Sequence, residues 1–189
     1  MEQSLAIILK DFSLHLLDLA QNSLRAAATV ISLDLNEDVT ANRLIIDIED
    51  NGRGMDPTAT KKAVDPFFTT RTTRKVGLGV SLFAAAAKRC GGEFTICSEP
   101  GKGTKLTASF LLNHWDTPPM GDMAGTIITL IAGNPKVDFF YRHRRGKAEY
   151  RFDTRSIKEI LTDVPISSPT VLAYLEEHIR KGLTQMETL

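Results

Sequence analysis

Between residues 14 and 49 the spacing of apolar side chains changes from a helical period to a strand period, and that change points to a mixed fold. Over 14–28, at roughly 100° per residue, Leu16, Leu17, Ala20, Leu24, Ala27 and Ala28 gather on one side of a helix. His15, Asp18, Asn22 and Arg25 share the polar arc opposite. Two β-rich runs follow at 30–35 and 43–49, and the polar stretch 36–42 between them suits a hairpin turn. Asp50-Asn-Gly-Arg-Gly-Met55 breaks the second run. Residues 57–64 then read as a short helix with proline in its first turn.

Residues 66–79 lack periodicity and are expected to form a loop. A helix is expected at about 80–89, closed by Gly91-Gly92, because glycine commonly stands just past a helix end. Strands at 93–98 and 104–112 flank the turn Glu99-Pro-Gly-Lys-Gly103. The order of elements predicts an α+β fold, a two-layer sandwich whose antiparallel or mixed sheet carries helices on one face. Trp115-Asp-Thr-Pro-Pro119 marks a boundary, dividing a domain at 1–115 from an α/β extension at 116–189. The extension reads as a helix at 121–132, a hairpin at 137–153 turning at Arg145-Gly146, and helices near 155–162 and 169–181.

Charge and cysteine content narrow the function. Acidic and basic side chains balance at 23 each, which gives no electrostatic footprint for nucleic acid. The basic run Arg142-His-Arg-Arg145 reads as a solvated hairpin end, with docking of an acidic partner as the alternative. Cys90 and Cys97 stand at no metal-ligand spacing and read as small buried apolar groups in a reducing compartment. No basic-then-apolar leader opens the sequence. The longest apolar stretches, 80–87 and 124–132, fall well short of the ~20 residues that span a bilayer. The expectation is a cytoplasmic protein with no membrane segment.

Four short patterns carry chemistry. Asp18, Asn22 and Arg25 stand at i, i+4 and i+7, which lines a carboxylate, an amide oxygen and a guanidinium along one helical stripe. An amide oxygen is a hard ligand suited to Mg²⁺, and a guanidinium can reach phosphate oxygens. Asp50, at a strand end before Gly52 and Gly54, can accept a hydrogen bond from an exocyclic amine, which selects adenine over guanine. Lys75-Val-Gly77-Leu-Gly79-Val-Ser81 opens a helix whose first amides, freed of side-chain bulk, form a natural phosphate site. It is neither a dinucleotide fingerprint, since no strand precedes it and position 82 is Leu, nor a P-loop. The fourth pattern, Ser98-Glu-Pro-Gly-Lys-Gly-Thr104, joins two strands. Alone, each has a plain structural explanation as a solvated helix face, a turn or a hairpin.

Taken together and in this order, the four resemble the N, G1, F/G2 and final G boxes of the Bergerat-type (GHKL) ATPases, the family of gyrase, heat-shock chaperone, histidine kinase and mismatch-repair ATPases. Asp65-Pro-Phe-Phe-Thr-Thr70 looks like the F box of sensor histidine kinases, and the resemblance covers about 12–112. It implies an ATP and Mg²⁺ site. There Asn22 would hold the metal, Asp50 the adenine amine, and Gly52, Gly54, Gly77 and Gly79 would shape the pocket. Thr104 would assist at the base, and Arg25, Met55, Phe67 and Leu78 would line the nucleotide. Residues 66–76 would be the lid, with Arg74 or Lys75 near the terminal phosphate. Residues 21–29 are also similar to the mismatch-repair branch, but the Phe67-Phe68 loop and the short lid favour the kinase-like branch.

Two features depart from the pattern. Hydrolysing members usually carry Glu four residues before the metal-binding Asn, where this sequence has the shorter Asp18, the candidate general base. Histidine kinases also hold their phosphoacceptor in a helical hairpin upstream. About a dozen residues precede the N box here, and His15, inside it, is not expected to serve. The expected function is a histidine kinase-like ATPase that hydrolyses ATP or passes its γ-phosphate to a separate protein. The alternative is a nucleotide-gated module, similar to anti-sigma factors, that regulates a partner without turnover. Residues 116–189 are expected to be a platform for a partner or a homodimer.

Overall fold

The computed structural model describes residues 11–64 and 78–187. Its elements in chain order are α1 (Phe12–Arg25), β1 (Val30–Asp38), β2 (Arg43–Asp50), α2 (Pro57–Lys62), α3 (Leu78–Arg89), β3 (Phe94–Glu99) and β4 (Gly103–Leu111). After these come α4 (Met123–Gly133), β5 (Asp138–Arg145), β6 (Ala148–Asp153), α5 (Thr154–Leu161) and α6 (Pro169–Glu187).

The six strands form one sheet in the order β3-β4-β2-β1-β5-β6. β1 and β5 run parallel and the other neighbours antiparallel, so the sheet is mixed. Strand alternation sends Ile31, Leu33 and Leu35 of β1, Leu44, Ile46 and Ile48 of β2, and Leu106, Ala108 and Phe110 of β4 to one face, where all are buried. Helices α1, α3, α4 and α6 cover that face and share its core. Within the helical layer α3 packs on α1, α1 on α4 and α4 on α6. The opposite face is polar: Arg142 and Arg144 of β5 pair with Asp34 of β1, and Thr107 of β4 bonds Asp47 of β2. This is an α+β sandwich of two layers.

The ends of α1 position the site. Asp11 caps its start, accepting from the Leu14 amide at 2.9 Å. The Phe12 and Ser13 amides donate to the carbonyls of Pro119 and Met120 at 2.9 and 3.0 Å, so a later segment closes this helix. At the other end Ala27 adopts φ 60° and the Ala28 amide reaches back to the Ser23 carbonyl at 3.1 Å. That left-handed residue stops the helix at Arg25, three residues short of the expected end.

Three expectations about burial are corrected. His15 leaves the polar arc: it is 6% exposed and packs against Phe83 of α3, because α1 is flanked by helices as well as backed by the sheet. Cys90 is buried, but Cys97 is exposed, since alternation along β3 turns Ile96 and Ser98 inward and Cys97 outward. The basic run is not a purely solvated hairpin end. His143 is buried, its Nε2 lying 2.8 Å from Glu37 Oε1 and its Nδ1 3.1 Å from the Tyr141 hydroxyl.

Candidate functional site

At one end of the site, α1 meets the start of α3. Asp18 and Asn22 stand one helical turn apart on α1, and Gly79 in the first turn of α3 lies directly against them. A Cβ at Gly79 would run into the Asp18 carboxylate and lie 3.6 Å from Asn22 Nδ2. A side chain at this position would have to push the end of the Asp18 side chain aside. Arg25 Nη1 donates to Asn22 Oδ1 at 2.7 Å, and its Nη2 to Gln21 Oε1 at 3.3 Å. The amide oxygen at Asn22 therefore already attracts a cationic group.

The other end is built on Asp50, the last residue of β2. Its Oδ1 accepts the Gly52 amide at 2.8 Å and its Oδ2 the Ser23 hydroxyl at 2.6 Å. Across the ladder Asp50 pairs with Thr104 of β4. The Thr104 hydroxyl lies 2.9 Å from Ser98 Oγ, which also receives the Met55 amide at 2.9 Å and donates to the Gly103 carbonyl. Gly54 and Gly103 have φ 65° and 106°, and side chains there would strike the Glu99 and Asp50 carbonyls. Gly52 presses on Ala26, while the Arg53 amide donates to the Ala26 carbonyl at 2.8 Å. The turn after β2 is thus clamped to the end of α1.

The structure therefore brings Asp18, Asn22, Arg25 and Gly79 into one group, and Asp50, Gly52, Gly54, Met55 and Thr104 into a second. Ser23, next to Asn22 in sequence and bonded to Asp50, joins the two groups. The F-box and lid residues, with Phe67, Lys75 and Gly77, lie outside the described residues, as does the side chain of Leu78. Sequence reasoning missed Ser23 and the bracing role of Ser98. Ser23 had a signal: it sits in line with Leu16 and Ala20 on the apolar stripe of α1, where a hydroxyl needs a buried partner.

A depression of about 240 Å³ meets the site at Asp50 and Thr104 and continues past Glu49, Cys97 and Lys105 onto the outward face of the sheet. Among the described residues, no three His, Cys, Asp or Glu side chains converge to hold a metal ion, and no helix is long and apolar enough to cross a membrane. Burial beside Phe83 lowers the pKa of His15, against the pull of Asp18 and Asp11, and its Nε2 has no hydrogen-bond partner.

The profile of the family described as "Histidine kinase-, DNA gyrase B-, and HSP90-like ATPase" matches residues 10–114. Sensor protein kinase FleS of Pseudomonas aeruginosa is 36% identical over 91 residues, which are 48% of this chain and 22% of FleS. Signal transduction histidine-protein kinase AtoS of Escherichia coli is 40% identical over 68 residues, 36% of this chain and 11% of AtoS. The chain thus spans less than a quarter of either relative. Among solved structures, the Aquifex aeolicus MutL ATPase domain complexed with ADP superposes with a TM-score of 0.49 at 16% identity, covering 77% of this chain and 66% of that one.

Proposed function

Since this chain belongs to the family of histidine kinase-, DNA gyrase B- and HSP90-like ATPases, we propose that it binds ATP with Mg²⁺ between α1, the start of α3 and the end of β2, and that it acts on the γ-phosphate. The observation that carries this reading is the joining of two groups of different chemistry by one short stretch of α1. A carboxamide and a carboxylate face the glycine start of a helix at Asn22, Asp18 and Gly79, and a braced carboxylate stands beside a threonine at Asp50 and Thr104.

The residues fit a magnesium–nucleotide complex. Asn22 offers one hard oxygen, which suits an ion that keeps most of its shell for water and phosphate. When bound, Mg²⁺ neutralises charge on the phosphate oxygens. Arg25, now on Asn22, would move to a phosphate oxygen. The α3 amides near Gly79 would cradle phosphate, and Asp50 would accept from the adenine amine with Thr104 at its side. Asp18, one turn from Asn22, would take the proton from the attacking water or from an acceptor side chain. In this reading the acceptor is a separate protein, and residues 116–189 form the platform for it or for a second copy.

Titration of the whole chain with a non-hydrolysable ATP analogue, with and without Mg²⁺, tests the reading. Binding should require Mg²⁺ for full strength, and Asn22→Ala should remove that requirement. No binding by the folded parent chain refutes it. Measurable Mg²⁺-dependent turnover favours the enzyme, whereas tight binding with none favours a nucleotide-gated module.

A further inference from the structure

Ser23 is 5% exposed, and its hydroxyl lies 2.6 Å from Asp50 Oδ2. Facing an ionised carboxylate, the hydroxyl can only donate. The second bond to Asp50, from the Gly52 amide at 2.8 Å, is local, two residues along the same turn. Ser23 stands 27 residues away, on the helix that carries Asn22. Together these donors occupy one site on each carboxylate oxygen, leaving about two of four for a ligand.

Ser23 is itself held in place. Its carbonyl accepts the Ala26 and Ala28 amides at 3.0 and 3.1 Å as α1 ends, and the same helix end is clamped to the Asp50 turn through Ala26, Gly52 and Arg53. The backbone frame around Asp50 therefore does not depend on the Ser23 hydroxyl. What the hydroxyl adds is the direction in which the carboxylate plane faces.

We propose that Ser23 is a positioning residue for base recognition: by holding Asp50 Oδ2 it sets the preference of the site for a purine that carries a 6-amino group. This rests on the nucleotide reading of the site given above. A carboxylate pinned by Gly52 alone can swing about its remaining torsion, and a misdirected acceptor loses most of a directional hydrogen bond.

The test is calorimetric titration of the whole chain with two probes. One is a non-hydrolysable ATP analogue, the other its purine-riboside counterpart without the 6-amino group. Ser23→Ala should weaken the amino probe by about five- to thirtyfold, the middle of the range of coupling between groups in one hydrogen-bond network. The same variant should leave the other probe within about twofold. Ser23→Thr, which keeps the hydroxyl, should restore discrimination. Ser23→Cys, a weak donor, carries the same expectation as alanine should the alanine variant fail to fold. Equal loss for both probes, or loss for neither, overturns the proposal by making Ser23 a purely structural residue. Asp50→Asn separates the two levels. If it leaves discrimination intact, the base-reading role of Asp50 falls. If it abolishes discrimination while Ser23→Ala keeps it, Ser23 alone is cleared of the role.

Discussion

Replacing Asp50 by asparagine exchanges one carboxylate oxygen for an NH₂ in a site whose geometry fixes the consequence. The carboxamide must turn its oxygen to the Gly52 amide, 2.8 Å away in the parent, because its NH₂ there would oppose another donor. The NH₂ is then aimed at Ser23 Oγ, which can rotate its proton away and accept. Both internal bonds survive in neutral form, so unfolding free energy should fall by only about 1 kcal/mol. The ligand-facing side fares worse. Where the carboxylate offered a charged acceptor, the variant offers a donor and an uncharged oxygen with one lone pair already used. A lost charge-assisted hydrogen bond costs about 1.5–3 kcal/mol, roughly ten- to hundredfold in Kd. Calorimetric titration with a non-hydrolysable ATP analogue measures this, with a thermal melt of the unliganded variant as the control. Parent-like affinity in a folded Asp50→Asn chain refutes the assignment of Asp50 to the base.

Asp18→Asn should lower turnover by about 10²–10⁴-fold, as expected of a lost general base, while Kd for the ATP analogue stays near the parent value; full activity eliminates the role. His15 should make stability fall with acidity. Its folded pKa lies below the ordinary histidine value of 6.5, so as pH drops through 6.5 the unfolded chain takes up a proton that the folded chain refuses. Urea unfolding between pH 7 and 5 should show this decline, at most about 1.4 kcal/mol per pH unit, and His15→Leu should flatten it. Glu37, whose pKa the His143 hydrogen bond lowers, loses its contribution only in more acidic solution and does not confound that window. A chain ending at Asn113 would strip β1 of its β5 neighbour and the first α1 amides of their partners, so circular dichroism should report loss of cooperative unfolding; a native-like melt would refute this.

The layered fold was legible because its information is local. The α1 stripe, the β1–β2 hairpin and the glycine at 91 after α3 are each written within one short continuous stretch of sequence. What the sequence hid was non-local. Nothing in residues 137–153 announces that β5 lies parallel to β1, and the sheet consequently runs on across the division expected at 115/116. A helical wheel assumes one buried side. α1 touches the sheet, α3 and α4, so its buried arc is wide enough to take in His15 and Ser23. For the site, the wheel placed Asp18, Asn22 and Arg25 on one stripe, and Gly79 does stand against the first two. No spacing rule could supply the Ser23–Asp50 bond, which depends on how α1 meets the end of β2.

The closure of α1 by Pro119 and Met120 has a bearing on how the protein is made. The partners of its first amides leave the ribosome more than a hundred residues after α1 begins, and β1 gains its second neighbour only once β5 has left the tunnel. Over that interval the nascent chain carries the Asp18–Asn22 helix without the partners of its first amides. Pairing between such distant segments slows folding, and nucleotide supplied during translation would find no finished site until residues 119–145 have emerged.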